Sequence, residues 1–294
     1  MAFSVLVTGA TGLQGGAVAR RLLADGHTVT ALTRKPDSAP ARELAGRGAR
    51  LVTGDFTEPA SLPGALAGVD VVFAMGTPLE AGPDGETRQA ITLLDAAAAA
   101  GVRHLVYSSA ANADKGTGIS WFDSKHRVEQ HLRGLGVPWT IVAPAVFMEV
   151  VSSAQTVAGL REGKLVMPLS PDRTLQYVDP EDIAGFVSLV LADPGRFAGR
   201  RVDLVSDVTT GPALAELLTK HVQRPIAYTR NTVEELRRYG GDDVAKMFIW
   251  FENGGFDTDA AALHAEFPEV GWHTFEQWAG RQDWDEVMSR QPAW

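Results

Sequence analysis

The fold is decided by residues 5–16, which read Val-Leu-Val-Thr-Gly-Ala-Thr-Gly-Leu-Gln-Gly-Gly. The apolar start predicts a strand, and the residues that follow the glycines have the spacing of a helix. Gly9 allows the tight turn between them, Gly12 leaves the backbone bare for a pyrophosphate, and Gly15 lets the helix pack against the strand. In this order of strand, loop and helix, a glycine pattern indicates a phosphate site.

The N-terminus of this first helix is a candidate anion site, because its free N–H groups and the helix dipole both favour negative charge. A glycine-rich turn without a ligand is the alternative. No P-loop lysine follows the glycines, so a nucleoside triphosphate is not expected. We predict that a dinucleotide is bound by Gly9, Thr11, Gly12, Leu13, Gln14 and Gly15.

Short apolar runs alternate with helical patterns through the first half of the chain. The runs are apolar on both faces, which is typical of a parallel sheet that is covered by helices on both sides. Right-handed crossovers then favour a doubly wound α/β sheet. The predicted strands centre on residues 5–7, 28–32, 51–52, 71–73, 105–107 and 141–142.

Two cations follow the second predicted strand. The sequence Thr33-Arg34-Lys35 stands where a domain that prefers NAD would carry a carboxylate for the ribose hydroxyls. Arg34 and Lys35 instead suit a 2′-phosphate, and the planar guanidinium can also stack on adenine. Two solvated charges in a loop are the alternative. We therefore predict NADP(H) as the cofactor.

The ends of the third and fourth strands are expected at the adenine side of the same crevice. Asp55 can accept a hydrogen bond from the adenine amino group, or it can cap the turn that begins at Thr57. The candidate residues at these two strand ends are Asp55, Phe56, Ala74, Met75 and Gly76.

The composition excludes several classes of function. The chain has 294 residues, of which 45% are hydrophobic and 21% charged, so it can build a sizeable core. A formal net charge of −9 argues against binding to nucleic acid or to anionic membranes, which need a basic surface. The absence of cysteine excludes thiolate metal sites, and the histidines lack metal-ligand spacing, so no metal is expected. No membrane-spanning run or signal peptide is recognised, and we expect a cytoplasmic protein.

The chain changes character after Pro144. Asp179 and Pro180 predict a helix start, as N-cap and first helical residue. Residues 201–205 predict one more strand that returns to the sheet, and from Thr210 onward the pattern is mostly helical. We expect a coenzyme-binding domain over residues 1–145 with a returning segment at about 175–206, and a smaller, mostly helical substrate domain over residues 146–174 and 207–294.

A lysine interrupts the apolar stripe of a later helix. The stripe consists of Trp121, Lys125, Val128, Leu132 and Leu135, at helical spacing. A lysine in such a stripe is costly unless it meets oxygen atoms or reaches water. Because this helix should open at the carboxyl ends of the strands, we predict that Lys125 contacts the nicotinamide ribose. Snorkelling to solvent is the alternative.

Several motifs together resemble the NmrA-like branch of the atypical short-chain dehydrogenases/reductases. They are the glycine loop, residues 121–125 (Trp-Phe-Asp-Ser-Lys), 146–149 (Val-Phe-Met-Glu), 177–183 (Tyr-Val-Asp-Pro-Glu-Asp-Ile) and the tail around Trp278. The resemblance covers essentially the whole chain. It implies a Rossmann domain that binds NADP, a smaller C-terminal domain, and a substrate cleft between them. It also implies that Pro144, Val146 and Phe147 lie against the nicotinamide.

The sequence departs from the wider superfamily at one position. Its typical reductases use a Tyr-x-x-x-Lys pair, in which the tyrosine protonates the carbonyl. Here Trp121 stands in the tyrosine position ahead of Lys125, and an indole N–H is not an acid at neutral pH. Many NmrA-like members also lack the tyrosine, often with histidine in its place. The departure argues against ordinary ketone reduction but leaves hydride transfer to an acceptor that takes its proton from elsewhere.

The catalytic candidates are Lys125 and Ser109. Ser109 follows the fifth strand, where its hydroxyl either binds a substrate oxygen or satisfies the loop backbone. Tyr177 and His126 are further candidates for the proton donor.

Two functions remain open. One is an NADPH-dependent oxidoreductase that reduces a small aromatic, quinone-like, imine or enone substrate without a Tyr-x-x-x-Lys dyad. The other is a non-catalytic sensor of the NADP(H) redox state that regulates a partner protein, as some relatives do. The missing tyrosine and histidine favour the sensor, whereas the cleft that an aromatic-rich small domain implies favours the enzyme. A protein partner is expected only for the sensor, and an oligomer is compatible with both.

Overall fold

The structure, a computed structural model, describes residues 2–76 and 78–289, without the side chains of residues 78–80 and 239. Two compact units emerge. Unit 1 combines the residues up to Pro144 with Pro180–Leu204 and Glu269–Gly271. Unit 2 contains Ala145–Asp179, Val205–Pro268 and the residues from Trp272 onward.

Strands and helices alternate along the described part of the chain. The strands are β1 (Ser4–Val7), β2 (Thr28–Thr33), β3 (Arg50–Thr53), β4 (Val71–Met75), β5 (His104–Ser108), β6 (Trp139–Pro144), β7 (Val146–Phe147), β8 (Lys164–Met167), β9 (Thr174–Val178), β10 (Arg200–Leu204), β11 (Asp207–Thr210) and β12 (Ala227–Arg230). The helices are α1 (Leu13–Ala24), α2 (Ala39–Gly46), α3 (Leu62–Leu66), α4 (Pro78–Ala99), α5 (Ser120–Arg133), α6 (Ala154–Arg161), α7 (Pro180–Ala192), α8 (Pro194–Phe197), α9 (Gly211–Val222), α10 (Val233–Glu252), α11 (Ala260–Glu266), α12 (Phe275–Gly280) and α13 (Trp284–Ser289).

Unit 1 is built on a parallel sheet that, among the described residues, has seven strands in the order β10-β6-β5-β4-β1-β2-β3. Every neighbouring pair in this sheet is parallel. The order reverses between β1 and β4, where a doubly wound sheet forms its binding crevice. The predicted fold class and the strand that returns to the sheet are therefore confirmed.

The core of unit 1 explains why its central strands are apolar on both faces. Leu6, Val72 and Leu105, on β1, β4 and β5, are completely buried. Helix α1 packs against α7, and α4 packs against α5. Burial of this apolar surface on both sides of the sheet stabilises the arrangement.

Unit 2 contains two small sheets that the sequence pattern did not predict. One has the order β11-β9-β7, and the other pairs β12 with β8. Their core includes Tyr177, Phe275 and Trp278, which are almost fully buried. The predicted returning segment of about 175–206 is too long, because β9 pairs with β7 and β11 in unit 2. The part that joins unit 1 is Pro180–Leu204.

None of the described helices combines the length and the apolar character that crossing a bilayer requires.

Candidate functional site

The glycine loop connects β1 to α1 through backbone positions that exclude larger residues. Gly9 has a φ of +60°, and a Cβ atom there would lie 2.6 Å from Sδ of Met75. A Cβ atom on Gly15 would lie 2.4 Å from the carbonyl oxygen of Gly9. Gly12 is the N-cap of α1, and no side chain in the described structure caps this helix. The N–H groups of its first turn are therefore left for an acceptor outside the helix.

Side-chain hydrogen bonds fix this loop to neighbouring strands. Nε2 of Gln14 donates to Oγ of Ser108 at 2.6 Å, at the end of β5. Oγ1 of Thr8 accepts from the N–H of Met75 at 2.8 Å and donates to the Met75 carbonyl at 3.2 Å. Gln14 is buried and its amide is engaged, whereas Leu13 is exposed. Contact of these two residues with a ligand stays a prediction.

A cavity of about 380 Å³ lies at the carboxyl ends of β1, β2, β3 and β4. It brings together eight of the predicted coenzyme-binding residues: Gly9, Thr11, Arg34, Lys35, Asp55, Phe56, Met75 and Gly76. The other lining residues are Leu32, Thr33, Ser38, Pro40, Gly54 and Gln89. Sequence reasoning missed Ser38, the N-cap residue of α2, although a serine followed closely by a proline is a recognisable signal for the start of a helix.

Asp55 has the turn-capping role that the sequence offered as an alternative. Its Oδ1 accepts from the N–H of Thr57 at 2.8 Å and from the Thr57 hydroxyl at 2.7 Å. These hydrogen bonds, with a smaller contribution from the charge of Arg34, lower the pKa of Asp55. Contact between this carboxylate and adenine stays a prediction.

Ala74 is the one predicted residue of this strand end whose side chain turns away from the cavity. It is 1% exposed and packs in the apolar core of unit 1. Because side chains alternate along a strand, Met75 faces the cavity while Ala74 faces the core. A cofactor contact of Ala74 would therefore involve its backbone, and that Ala74 binds the cofactor stays a prediction.

Lys125 lies on α5 and is paired with a buried acid that the sequence analysis did not identify. Its Nζ lies 2.7 Å from Oε1 of Glu86 and 3.4 Å from the carbonyl oxygen of Gly76. The Glu86 side chain is 0% exposed, and its Oε2 accepts from Oγ of Ser124 at 2.9 Å. Lys125 thus meets oxygen atoms beside the cavity wall at Gly76. The signal that could have found Glu86 is that a lysine in an apolar stripe requires a counter-charge.

The buried face of α5 starts one residue later than the sequence stripe predicts. Phe122 is buried, whereas Trp121 is half-buried. Val128 and Leu132 are buried as predicted. Trp121 and the half-buried Lys125 therefore lie at the edge of the apolar face.

Ser109 belongs to a second buried charge cluster. Its hydroxyl donates to Oε1 of Glu129 at 2.5 Å, and it is 5% exposed. Arg201, on β10, donates through Nε to Oε2 of Glu129 at 3.1 Å and through Nη1 to Asp203 at 2.6 Å. Because the hydroxyl hydrogen of Ser109 is engaged, the geometry favours a structural role over the predicted catalytic one, which no observation tests directly.

Of the two candidate proton donors, Tyr177 is a weakened acid, and the same holds for the buried Tyr107 of β5. Burial raises the pKa of Tyr177 in unit 2. Burial, reinforced by the charges of Glu86 and Glu129, also raises the pKa of Tyr107 in unit 1. Both phenols are weaker acids than a free tyrosine. Nε2 of His126 lies 3.1 Å from Nε2 of Gln130.

The three residues that the resemblance places against the nicotinamide fall in two units. Pro144 ends β6 in unit 1, and its carbonyl accepts from the N–H of Ala111 at 2.9 Å. Val146 and Phe147 form β7 in unit 2, where both are half-buried. Their contact with a cofactor stays a prediction.

Comparison with known proteins places this chain in a family. The model of the NmrA-like family matches residues 1–279. The chain is 35% identical over 281 residues to a (4-alkanoyl-5-oxo-2,5-dihydrofuran-3-yl)methyl phosphate reductase of Streptomyces griseus, covering 95% of this chain and 86% of that protein. It is 33% identical over 238 residues to an NAD(P)H azoreductase of Xenophilus azovorans, covering 80% and 79%.

Among solved structures, the triphenylmethane reductase of Citrobacter sp. complexed with NADP(H) has the same fold. The TM-score is 0.78 at 23% identity, with coverage of 94% of this chain and 100% of that chain. The resemblance that the sequence motifs indicated is confirmed. The chain belongs to the NmrA-like family.

Proposed function

We propose that this protein transfers a hydride from NADPH to a small, conjugated acceptor of the aromatic, quinone-like, imine or enone class. The chain is an NAD(P)H-dependent oxidoreductase of the atypical short-chain type, and one of its relatives is an NAD(P)H azoreductase. The observation that supports NADPH as the hydride donor is the cavity of unit 1, which is lined by the glycine loop and by Arg34 and Lys35.

The residues of this cavity, together with the start of α1 that follows Thr11, fit NADP(H). Gly12 presents a bare backbone at the N-terminus of α1, which suits a diphosphate. Arg34 and Lys35 supply two positive charges for a 2′-phosphate, and the hydroxyl of Ser38 lines the same cavity.

The bound coenzyme would supply the hydride, and the chain would supply position and polarity. Lys125 would hold the hydroxyls of the nicotinamide ribose, since its ammonium lies beside Gly76 at the cavity wall. The indole of Trp121 carries no acidic proton, and Tyr107 is a weakened acid. A conjugated acceptor suits such a site, because it delocalises the charge it gains and can take its proton from water.

A panel of acceptors tests this proposal. NADPH oxidation is followed by its absorbance with quinones, azo compounds, imines, enones, triarylmethane dyes and simple ketones. We expect turnover with at least one conjugated class and none with simple ketones. Lys125→Met should lower that turnover at least about tenfold, which corresponds to one hydrogen bond to a charged group.

Lys220→Met is the matched control, since Lys220 is an exposed lysine on α9. It should leave turnover unchanged. Silence across the panel from a protein that binds NADPH would overturn the proposal and favour the sensor. Equal turnover of simple ketones would overturn the substrate class.

A further inference from the structure

Glu86 is a buried acid placed directly behind the cavity wall. A Cβ atom on Gly76 would lie 3.1 Å from Cγ of Glu86. The carboxylate is 0% exposed, and among the described residues it accepts hydrogen bonds from the ammonium of Lys125 and the hydroxyl of Ser124. A buried carboxylate is retained only with such partners, because an isolated one is strongly destabilised.

The ammonium of Lys125 is only partly used by these contacts. Within the described structure it donates to Glu86 and, at 3.4 Å, to the carbonyl of Gly76. A lysine has three N–H hydrogens, so one remains for a ligand. With 15% of its side chain exposed, Lys125 can offer that hydrogen to the cavity side.

The second buried acid of unit 1 differs in this respect. Glu129 is held by Arg201, which also donates to Asp203 and to the carbonyl of Ala110. Arg201 is thus engaged by several protein groups, whereas the ammonium of Lys125 keeps one N–H and lies beside the carbonyl of Gly76, a residue that lines the cavity.

We propose that Glu86 is a positioning residue that holds Lys125 for the coenzyme and cancels its charge. The inference rests on the coenzyme site proposed above. The nicotinamide ring is positively charged in NADP⁺ and neutral in NADPH. An uncompensated ammonium beside the coenzyme would therefore weaken the binding of NADP⁺ more than the binding of NADPH. The Lys125–Glu86 pair has no net charge, so it does not repel the positively charged ring of NADP⁺.

The test measures calorimetric Kd values for NADP⁺ and NADPH with the full chain, and the readout is the ratio of the NADP⁺ value to the NADPH value. We expect Glu86→Gln to raise this ratio about tenfold, which is an electrostatic effect of ordinary size near a protein surface. The double variant Glu86→Gln/Lys125→Met again has no net charge, so its ratio should return to that of the unmodified chain.

Glu129→Gln is the matched control, because it also neutralises a buried acid of unit 1. It should lower stability but leave the ratio within about twofold. A merely structural role of Glu86 would leave the ratio unchanged in Glu86→Gln, and that result overturns the inference. Failure of the unmodified chain to bind either coenzyme would instead overturn the proposed function.

If Glu86→Gln does not fold, Lys125→Gln supplies the reverse test. This variant keeps the carboxylate of Glu86. The ratio of the two Kd values should therefore equal that of the unmodified chain or fall below it. A rise in the ratio would overturn the inference.

Discussion

Nε1 of Trp278 donates a 3.0 Å hydrogen bond to Oε1 of Glu149 in unit 2. Burial raises the pKa of this carboxyl from 4.5 to about 7, although the hydrogen bond from Trp278 acts in the opposite direction. Between these values the folded chain keeps a proton that the unfolded chain has lost. The free energy of unfolding therefore decreases as the pH rises through this range.

Glu149→Gln removes this titration and keeps an oxygen acceptor for Trp278. We expect the variant to be more stable than the unmodified chain at pH 8 by about 3–4 kcal/mol, since one pKa unit is worth about 1.4 kcal/mol. The difference should shrink toward pH 4.5. Urea unfolding at several pH values measures it, with Glu216→Gln, an exposed acid on α9, as control. A difference that is independent of pH would contradict the prediction.

Removal of either cation of the cavity should change coenzyme selectivity. Arg34→Ala or Lys35→Ala should weaken NADPH binding about tenfold, because a hydrogen bond to a charged group contributes about 1.5–3 kcal/mol. NADH has no 2′-phosphate, so its affinity should hardly change. Titration calorimetry with both coenzymes is the measurement, and the control is Arg47→Ala, an exposed arginine paired with Glu43. Equal losses for NADH and NADPH would show that the two cations do not read the phosphate.

A methyl group on Gly15 should distort the glycine loop. Its Cβ would lie 2.4 Å from the carbonyl oxygen of Gly9, so we expect Gly15→Ala to destabilise the fold by about 1–3 kcal/mol. It should also weaken NADPH binding. Gly46→Ala is the control, because its Cβ meets nothing within 4 Å and alanine favours a helix by up to about 1 kcal/mol. Urea unfolding measures the free energy of unfolding of both variants. Equal values for Gly15→Ala and Gly46→Ala would refute the steric argument.

The buried cluster around Arg201 should be expensive to break. Arg201→Met leaves Glu129 buried without its main partner, which should cost about 3–5 kcal/mol. Arg127→Met breaks an exposed ion pair with Asp84, whose side chain is 76% exposed, and should cost less than about 1 kcal/mol. Urea unfolding of the two variants compares these costs. Similar losses would mean that Glu129 finds another partner or a proton.

The indole N–H of Trp121 should be dispensable for turnover. Trp121→Phe keeps an aromatic side chain but removes the N–H group. Because that group is not an acid, we expect the kcat with an active acceptor to stay within about twofold. Steady-state kinetics with NADPH in excess is the measurement, and a loss of tenfold or more would assign the indole a role in the reaction.

The sequence predicted the parts of the site that follow from strand order. The residues after β1, β2 and β3 reach one cavity because parallel strands present their carboxyl ends at the same edge of a sheet. The apolar runs around Leu6 and Leu32 identified two of those strands without any knowledge of tertiary contacts.

The parts that were missed depend on contacts between segments that are distant in the sequence. Glu86 lies in the polar run of residues 84–89, which by itself predicts an exposed turn of helix. Its burial results from packing of α4 against α5, where Lys125 and Ser124 meet it. In unit 2, β8 pairs with β12 through residues as distant as Lys164 and Ala227, and strands this short have no distinctive local pattern.

The hydroxyl of Thr8 replaces strand pairing at the point where β1 and β4 diverge, since it bonds both the N–H and the carbonyl of Met75. The spacing of the two halves of the sheet is thereby set during folding, before a dinucleotide arrives. The residues that border this gap lose their conformational entropy once, when the chain folds, and do not lose it again each time a ligand binds. A preorganised gap of this kind favours tighter binding, because the sheet needs no rearrangement when a ligand enters.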